Sequence, residues 1–348
     1  MSESGGTGET ANTIQDRVRG GKPVVWFLVS GNRFAVAGVL LAVAYAVLVF
    51  LGQFGPGSIT RLFEPDPLFA LFTPVIIGII MGVSLVLTFN QLVLSAELGP
   101  IGDQRERMAE AMAFRRDVED AVGRETSPPE PSTFLRGLVE ATGAHAATVL
   151  ERLEAESDLD AAAREDVREY AEGVAADAER ITPKIEGRQF GTFDVVASVL
   201  EYNYSWKIYA GRRVRNRHAS ELSEETLEAL ENLVADLEFF GPAREHFKTL
   251  YFRWEIIDIS RALVYVSLPA LSVVAYMILV FETGDVAGSV AGVDTGLLVV
   301  GLGLAVGVTP FSIFLAYILR IVTVAKWTLS MGPFILRETD RGSDIEWE

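Results

Sequence analysis

Glu255, Asp258 and Arg261 are the ionisable residues best placed to do chemistry, because they stand at helical spacing where a long apolar stretch begins. If several copies of the chain surrounded an axis, Glu255 or Asp258 would form a charged ring at the mouth of a pore. Within one copy, Asp258 and Arg261 lie one helical turn apart and can pair, which lowers the cost of holding them next to lipid. Their neighbours Tyr251, Phe252 and Trp254 read as an interfacial aromatic belt. Asn90 and Gln91, near the end of another apolar stretch, are polar enough to line a pathway, or to hydrogen-bond between helices. Pro269 and Pro310 lie inside the last two apolar stretches at similar depth. Each removes a helical hydrogen bond and frees a carbonyl near Ser267, Thr309 and Ser312, as a hinge, an ion-coordinating break or a static kink would.

No enzyme motif accompanies these residues. The chain contains no GxxxxGK[ST], HExxH or GxSxG, and His145, His218 and His246 have no metal-ligand spacing. Gly301-Leu302-Gly303 lies inside an apolar stretch and cannot cradle a phosphate. With no cysteine, disulfides, thiolate zinc sites and cysteine nucleophiles are excluded. The expectation is a protein without catalytic residues, metal or cofactor.

What must position the candidates is a set of membrane spans. Phe34 to Leu51 is uncharged for 18 residues, Leu68 to Leu94 for 27, Ala262 to Phe281 for 20 and Thr295 to Leu319 for 25. At 1.5 Å per helical residue, a hydrocarbon core of roughly 30 Å needs about 20 such residues. The expected fold is therefore all-α: a polytopic membrane protein with four transmembrane helices, and a cytoplasmic helical bundle inserted between spans two and three.

Charge sets the orientation. The loop after span one holds Arg61 against Glu64 and Asp66, and the loop after span three holds Glu282, Asp285 and Asp294 with no base. Arg17, Arg19, Lys22 and Arg33 precede span one, Arg105 and Arg107 follow span two, Arg253 and Arg261 enter span three, and Arg320 and Lys326 leave span four. By the positive-inside rule both termini and the central segment are cytoplasmic. The 33 mostly polar residues before the first apolar run do not resemble a signal peptide, so span one reads as an uncleaved anchor. The chain divides into a tail (1–33), a first hairpin (34–95), an acidic domain (96–258), a second hairpin (259–325) and a second tail (326–348).

Within the acidic domain the pattern predicts helices over 102–123, from Ser132 as N-cap to about Glu156, from Asp158 to Ile181 ended by Thr182-Pro183, from Thr192 to about Arg217, and from Ser223 to Phe240 stopped by Gly241-Pro242. A sixth helix begins near Ala243 and flows into span three. The 158–181 helix has a thin apolar stripe and is expected at the periphery. The 190–209 stretch is rich in aromatics and fits core, partner surface or membrane surface. Directly after it come Arg212, Arg213, Arg215 and Arg217, which could contact lipid headgroups or, as a solvated helix end, pair with Glu221, Glu224 and Glu225.

Small residues recur at helical spacing inside the spans: Gly38, Ala42 and Ala46 in the first, Gly78 and Gly82 in the second, and Gly296, Gly303 and Gly307 in the fourth. Such faces let backbones approach closely, within a subunit or between subunits.

The formal net charge is −17, with 25 Arg and five Lys, and residues 97–258 carry 34 acids against 20 bases. This composition resembles that of a salt-adapted archaeal cytoplasm and disfavours nucleic acid as a partner. The two-plus-two span layout with a helical insert is similar to that of bestrophin-type anion channels and flagellar stator proteins, without their motifs or a mid-span acid. Two functions follow: a homo-oligomeric channel or ion-pathway protein, or a non-transporting scaffold or sensor whose cytoplasmic domain binds a protein partner. The lipid bilayer is a partner in both.

Overall fold

A computed structural model describes residues 21–55, 65–185, 202–282 and 286–328. The chain is all-α, with nine helices among the described residues, and four of them are long and apolar enough to cross a membrane. The residues group into two compact units, one formed by Gly20–Leu98 with Phe252–Val324 and the other by Gly99–Tyr251. We call these the apolar and the polar unit.

The apolar unit opens with α1 (Lys22–Val25), which runs into a π-helical turn, Trp26–Ser30. Asn32 then caps α2 (Arg33–Phe54), its side-chain oxygen accepting from the Phe34 and Ala35 backbone N–H groups at 2.9 and 3.3 Å. α3 spans Pro65–Glu97, and after a stretch lying in the polar unit the chain returns within α8 (Glu224–Leu279). A short antiparallel ladder of β1 (Ser289–Val290) and β2 (Val293–Asp294) leads into α9 (Thr295–Thr328). Pro74 and Pro310 sit inside α3 and α9 without ending them.

Glycines allow these helices to touch. A Cβ on Gly307 would stand 2.7 Å from Val274 and 2.9 Å from Val75, one on Gly303 3.0 Å from Met277, and one on Gly78 2.9 Å from Phe311. Gly82 faces the same Phe311 ring at 3.9 Å. Gly301, which the sequence reading passed over, meets Tyr45 and Leu48 at 3.0 Å. The faces of α3 and α9 therefore pack inside one subunit. The row on α2 does not: Gly38, Ala42 and Ala46 are exposed, and nothing lies within 4 Å of a Cβ on Gly38.

The polar unit comprises α4 (Ile101–Ala121), α5 (Pro131–Ala155), α6 (Ala161–Ile185), α7 (Tyr204–Arg217) and the first part of α8. Two apolar clusters fill it, one around Leu135, Leu138, Ile181, Tyr202 and Phe240, the other around Val149, Leu153, Val174, Leu230 and Leu233. Residues 190–201 of the expected aromatic helix lie outside the described residues; beyond them, Tyr202, Tyr204 and Ile208 are buried in the first cluster.

Four local expectations need correction. Glu130, not Ser132, caps α5: its carboxylate accepts from the Thr133 N–H at 2.6 Å and from the Ser132 and Thr133 hydroxyls at 2.6 and 2.7 Å. Burial opposes ionisation there, but these hydrogen bonds hold the carboxyl down at about 2. α6 continues past Thr182-Pro183 to Ile185, because Ile181 and Ile185 are both buried in the core and hold its last turn in place. α6 is also not peripheral. Its alanines serve as core where helices approach closely, Ala178 standing 3.1 Å from a Cβ on Gly143, and its side chains enter both clusters. Finally, Gly241-Pro242 does not stop a helix. α8 runs 56 residues without interruption, and Gly241 is where Tyr204 packs, 2.8 Å from a would-be Cβ. The hydrogen bond lost at Pro242 is outweighed by packing of Leu237, Phe240 and Ala243 on either side.

Candidate functional site

At one end of the apolar unit lies a buried charged cluster. The π-turn directs the Gly31 N–H to the Trp26 carbonyl at 2.7 Å, a spacing in which a Cβ on Gly31 would come within 2.5 Å of that oxygen. Arg33, only 4% exposed, donates through Nε to the Gly31 carbonyl at 3.0 Å, through Nη1 to Ala316 at 3.1 Å and through Nη2 to Val29 at 3.1 Å. Arg320 reaches the same Gly31 carbonyl at 2.8 Å and pairs with Glu255 at 3.3 Å. Two guanidiniums and one carboxylate thus fasten the π-turn, α2, α8 and α9 together.

The sequence candidates fall around this cluster. Glu255 is buried and faces Arg320 of its own subunit. Asp258 and Arg261 are exposed, and among the described residues no ion pair joins them. Asn90 is half-buried and its Oδ1 accepts a hydrogen bond from the Ser260 hydroxyl at 3.0 Å, while Gln91 is exposed. Thr309 donates to the Ala305 carbonyl of its own helix at 2.9 Å. Pro269 is exposed, but Pro310 is buried. With Ser267, Gly82 and Phe311 it lines a cavity of about 90 Å³ whose walls are apolar apart from the Ser267 hydroxyl. That hydroxyl is buried without a hydrogen-bond partner.

In the polar unit, Asp236 and Lys207 are buried with ionisable partners. His145 Nδ1 lies 2.5 Å from Asp236 Oδ2, and Asp236 is completely buried. Thr142 and Tyr202 share a hydrogen bond of 2.8 Å. Lys207, buried, donates to Asp177, which also accepts from Arg180 at 2.9 Å. The hydrogen bond to Asp236 raises the His145 imidazole above its ordinary value, against the pull of burial. Burial raises Asp236 and lowers Lys207, while Lys207 and Arg180 hold Asp177 below the usual carboxylate range in spite of burial.

The basic run on α7 is drawn largely into this unit. Arg215 pairs with Glu231, Arg217 lies 3.5 Å from Asp166, and His218 bonds Asp166 and Glu221 at 3.0 and 3.2 Å. Arg212 is exposed and Arg213 half-buried.

A groove of about 520 Å³ lies in the polar unit. Arg107, Glu110 and Phe114 of α4 form one wall, Pro128, Pro129 and Phe134 the second, and Pro242, His246 and Phe247 of α8 the third. Arg115 fixes the proline-rich wall, donating to the carbonyls of Ser127 at 2.6 Å and Pro128 at 3.3 Å, with its guanidinium 5.9 Å from the Phe134 ring. The lining thus combines three phenylalanines and four prolines with two arginines and a histidine against one glutamate, in a segment that is otherwise strongly acidic.

A family model described as a family of unknown function (DUF7972) matches residues 1–348. The chain belongs to this family. No curated protein and no solved structure matches it. Membership in DUF7972 assigns no activity, so the groove, the charged cluster and the cavity are the features from which function has to be argued. Among the described residues, no group of three or more His, Asp or Glu side chains could hold a metal ion.

Sequence reasoning missed both the groove and the role of Arg33 and Arg320. The groove draws on three separated segments, 107–115, 128–134 and 242–247. Arg33 and Arg320 were read only as flanking charges; the adjacent Gly31, whose carbonyl both of them bind, was the available signal.

Proposed function

We propose that this DUF7972 protein is a non-enzymatic, multi-pass membrane anchor that presents its polar helical unit at the cytoplasmic face, where the groove binds an acidic, apolar segment of a protein partner. The observation that carries this reading is the groove: about 520 Å³, lined by Phe114, Phe134 and Phe247, with Arg107 and Arg115 outnumbering Glu110 in an acidic segment. The apolar unit supports an anchoring role. The cavity beside Pro310 is small and apolar, and the hydroxyls of Ser84, Thr88, Ser272 and Thr309 bond carbonyls of their own helices. In concentrated salt the Debye length falls to about 3 Å, so apolar contact supplies most of the affinity and charge mainly selects the partner.

A fluorescent peptide of alternating Glu and Phe, titrated against the full chain in mild detergent, tests this. We expect saturable binding that Ala111→Trp, which fills the groove, weakens by at least about tenfold, the equivalent of roughly 1.4 kcal/mol. We expect Arg107→Glu to weaken it more at low salt than at high salt. Absence of saturable binding, or equal affinity for Ala111→Trp, would sink the reading.

A second reading, the homo-oligomeric pathway protein, is favoured by the open row on α2, since every other glycine face discussed above is used internally. If copies associate along Gly38, Ala42 and Ala46, Gly38→Leu should dissociate them, as seen by light scattering, without lowering the thermal midpoint of the subunit. Gly307→Leu should instead cost about 1–3 kcal/mol of subunit stability through overpacking against Val274 and Val75. A wild-type monomer in lipid nanodiscs that passes no current in bilayer recordings would exclude this second reading.

A further inference from the structure

We propose that the first three turns of α4, residues 101–112, lie in the lipid headgroup layer with Ile101, Met108 and Met112 turned toward the acyl chains. At 100° per residue, Ile101, Arg105, Met108 and Met112 fall within about 40° of one line along the helix. Glu110 and Phe114, which wall the groove, lie on the opposite side. Every residue from Leu98 to Met112 is exposed, Ile101 at 90%, Met108 at 63% and Met112 at 37%. The polar unit therefore leaves this stripe bare, while Val118 farther along α4 enters its core.

Covalent reach identifies what covers it. α3 ends at Glu97 and α4 begins at Ile101, so the two Cα atoms are four peptide steps apart and separated by at most about 15 Å. The inference rests on the reading that α3 crosses the membrane. Given that, Ile101 is tethered within reach of the interface, and the nearest large apolar medium is lipid. Arg105 lies on the same face as the stripe, where a long side chain can lay its stem along lipid and keep its guanidinium in the headgroups. Asp103 and Glu106, on the other side, stay in water.

The chain contains no cysteine, so single-cysteine variants carry one probe each. Full-length Ile101→Cys, Met108→Cys, Met112→Cys, Asp103→Cys and Glu106→Cys, labelled with an environment-sensitive fluorophore, would be reconstituted in phosphatidylcholine vesicles with and without brominated acyl chains. Leu85→Cys on α3 serves as the span control. We expect bromine to quench the probes at 101, 108 and 112 by about twofold, with little effect at 103 and 106. Equal quenching at all five positions would overturn the proposal. So would blue-shifted but unquenched probes at 101, 108 and 112, which would mean that protein, including a second copy, covers the stripe. If the control at 85 is also unquenched, the membrane reading of α3 fails; if 85 is quenched and the stripe is not, only the interfacial helix fails.

Discussion

Replacing His145 with alanine should lower the thermal midpoint of the polar unit by about 6–12 °C, the consequence of losing roughly 3 kcal/mol in a unit of this size. Asp236 has no exposed surface, and His145 is its only hydrogen-bond partner among the described residues; its Oδ1 has none. Without the imidazole, a carboxylate is left in the core with nothing to offset its desolvation. The loss falls short of the extreme for buried pairs because the His145 side chain keeps 27% exposure, through which water can enter the gap. Asp236→Asn should cost less, since no charge is then stranded.

The same pair makes stability depend on pH. The His145 imidazole is raised by its hydrogen bond to Asp236, so the folded state holds its proton more tightly than the unfolded state. The contribution is complete below the unfolded imidazole value of about 6.5 and is lost as pH rises through the higher folded value. The raised Asp236 acts in the same direction at lower pH, because the folded chain again binds the extra proton. Midpoints measured by circular dichroism from pH 6 to 9 should fall for the wild type and fall less steeply for Asp236→Asn, in which His218, also raised by Asp166 and Glu221 against the pull of burial, still contributes. Equal slopes in both would show that another group carries the dependence.

The second large effect is expected at the charged cluster. Glu255→Ala takes from Arg320, whose guanidinium converges with that of Arg33 on the Gly31 carbonyl, the carboxylate it pairs with. Both guanidiniums are largely buried, so the loss should be about 3 kcal/mol, read as a lower midpoint of the full chain in detergent. A double-mutant cycle with Arg320→Ala should return a coupling of more than about 1 kcal/mol. Arg33→Lys should not substitute, because one ammonium cannot reach the carbonyls of Val29, Gly31 and Ala316 in the planar spread that the guanidinium uses. Near-zero coupling would mean that the pairing of Glu255 with Arg320 contributes little to stability, and would reopen the role of Glu255 as a pore-mouth charge.

What was legible in the sequence follows from the range of the physics involved. An apolar run long enough to cross lipid is a local property, so the helices that carry Phe34–Leu51, Leu68–Leu94, most of Ala262–Phe281 and Thr295–Leu319 could be read directly. Helix ends were less legible. Gly241-Pro242 looks like a stop by local preference, but Tyr204, distant in sequence, packs onto Gly241 and the helix goes through. Small residues announced close packing without saying against what, and only the fold separates Gly307, tight against Val274, from Gly38, which faces nothing. Long-range polar pairs were out of reach. His145 and Asp236 are 91 residues apart, and Arg33 and Ala316 are 283 apart.

The central claim, an anchor presenting its helical unit at the cytoplasmic face, is tested most directly by cysteine accessibility in intact cells. Ser157, between α5 and α6, and Ser289, in β1, are both exposed, and the chain has no competing thiol. Ser289→Cys should react with a membrane-impermeant maleimide in intact cells, whereas Ser157→Cys should react only after lysis. Labelling of Ser157→Cys in intact cells, or equal labelling of both positions before and after lysis, would contradict the proposed orientation.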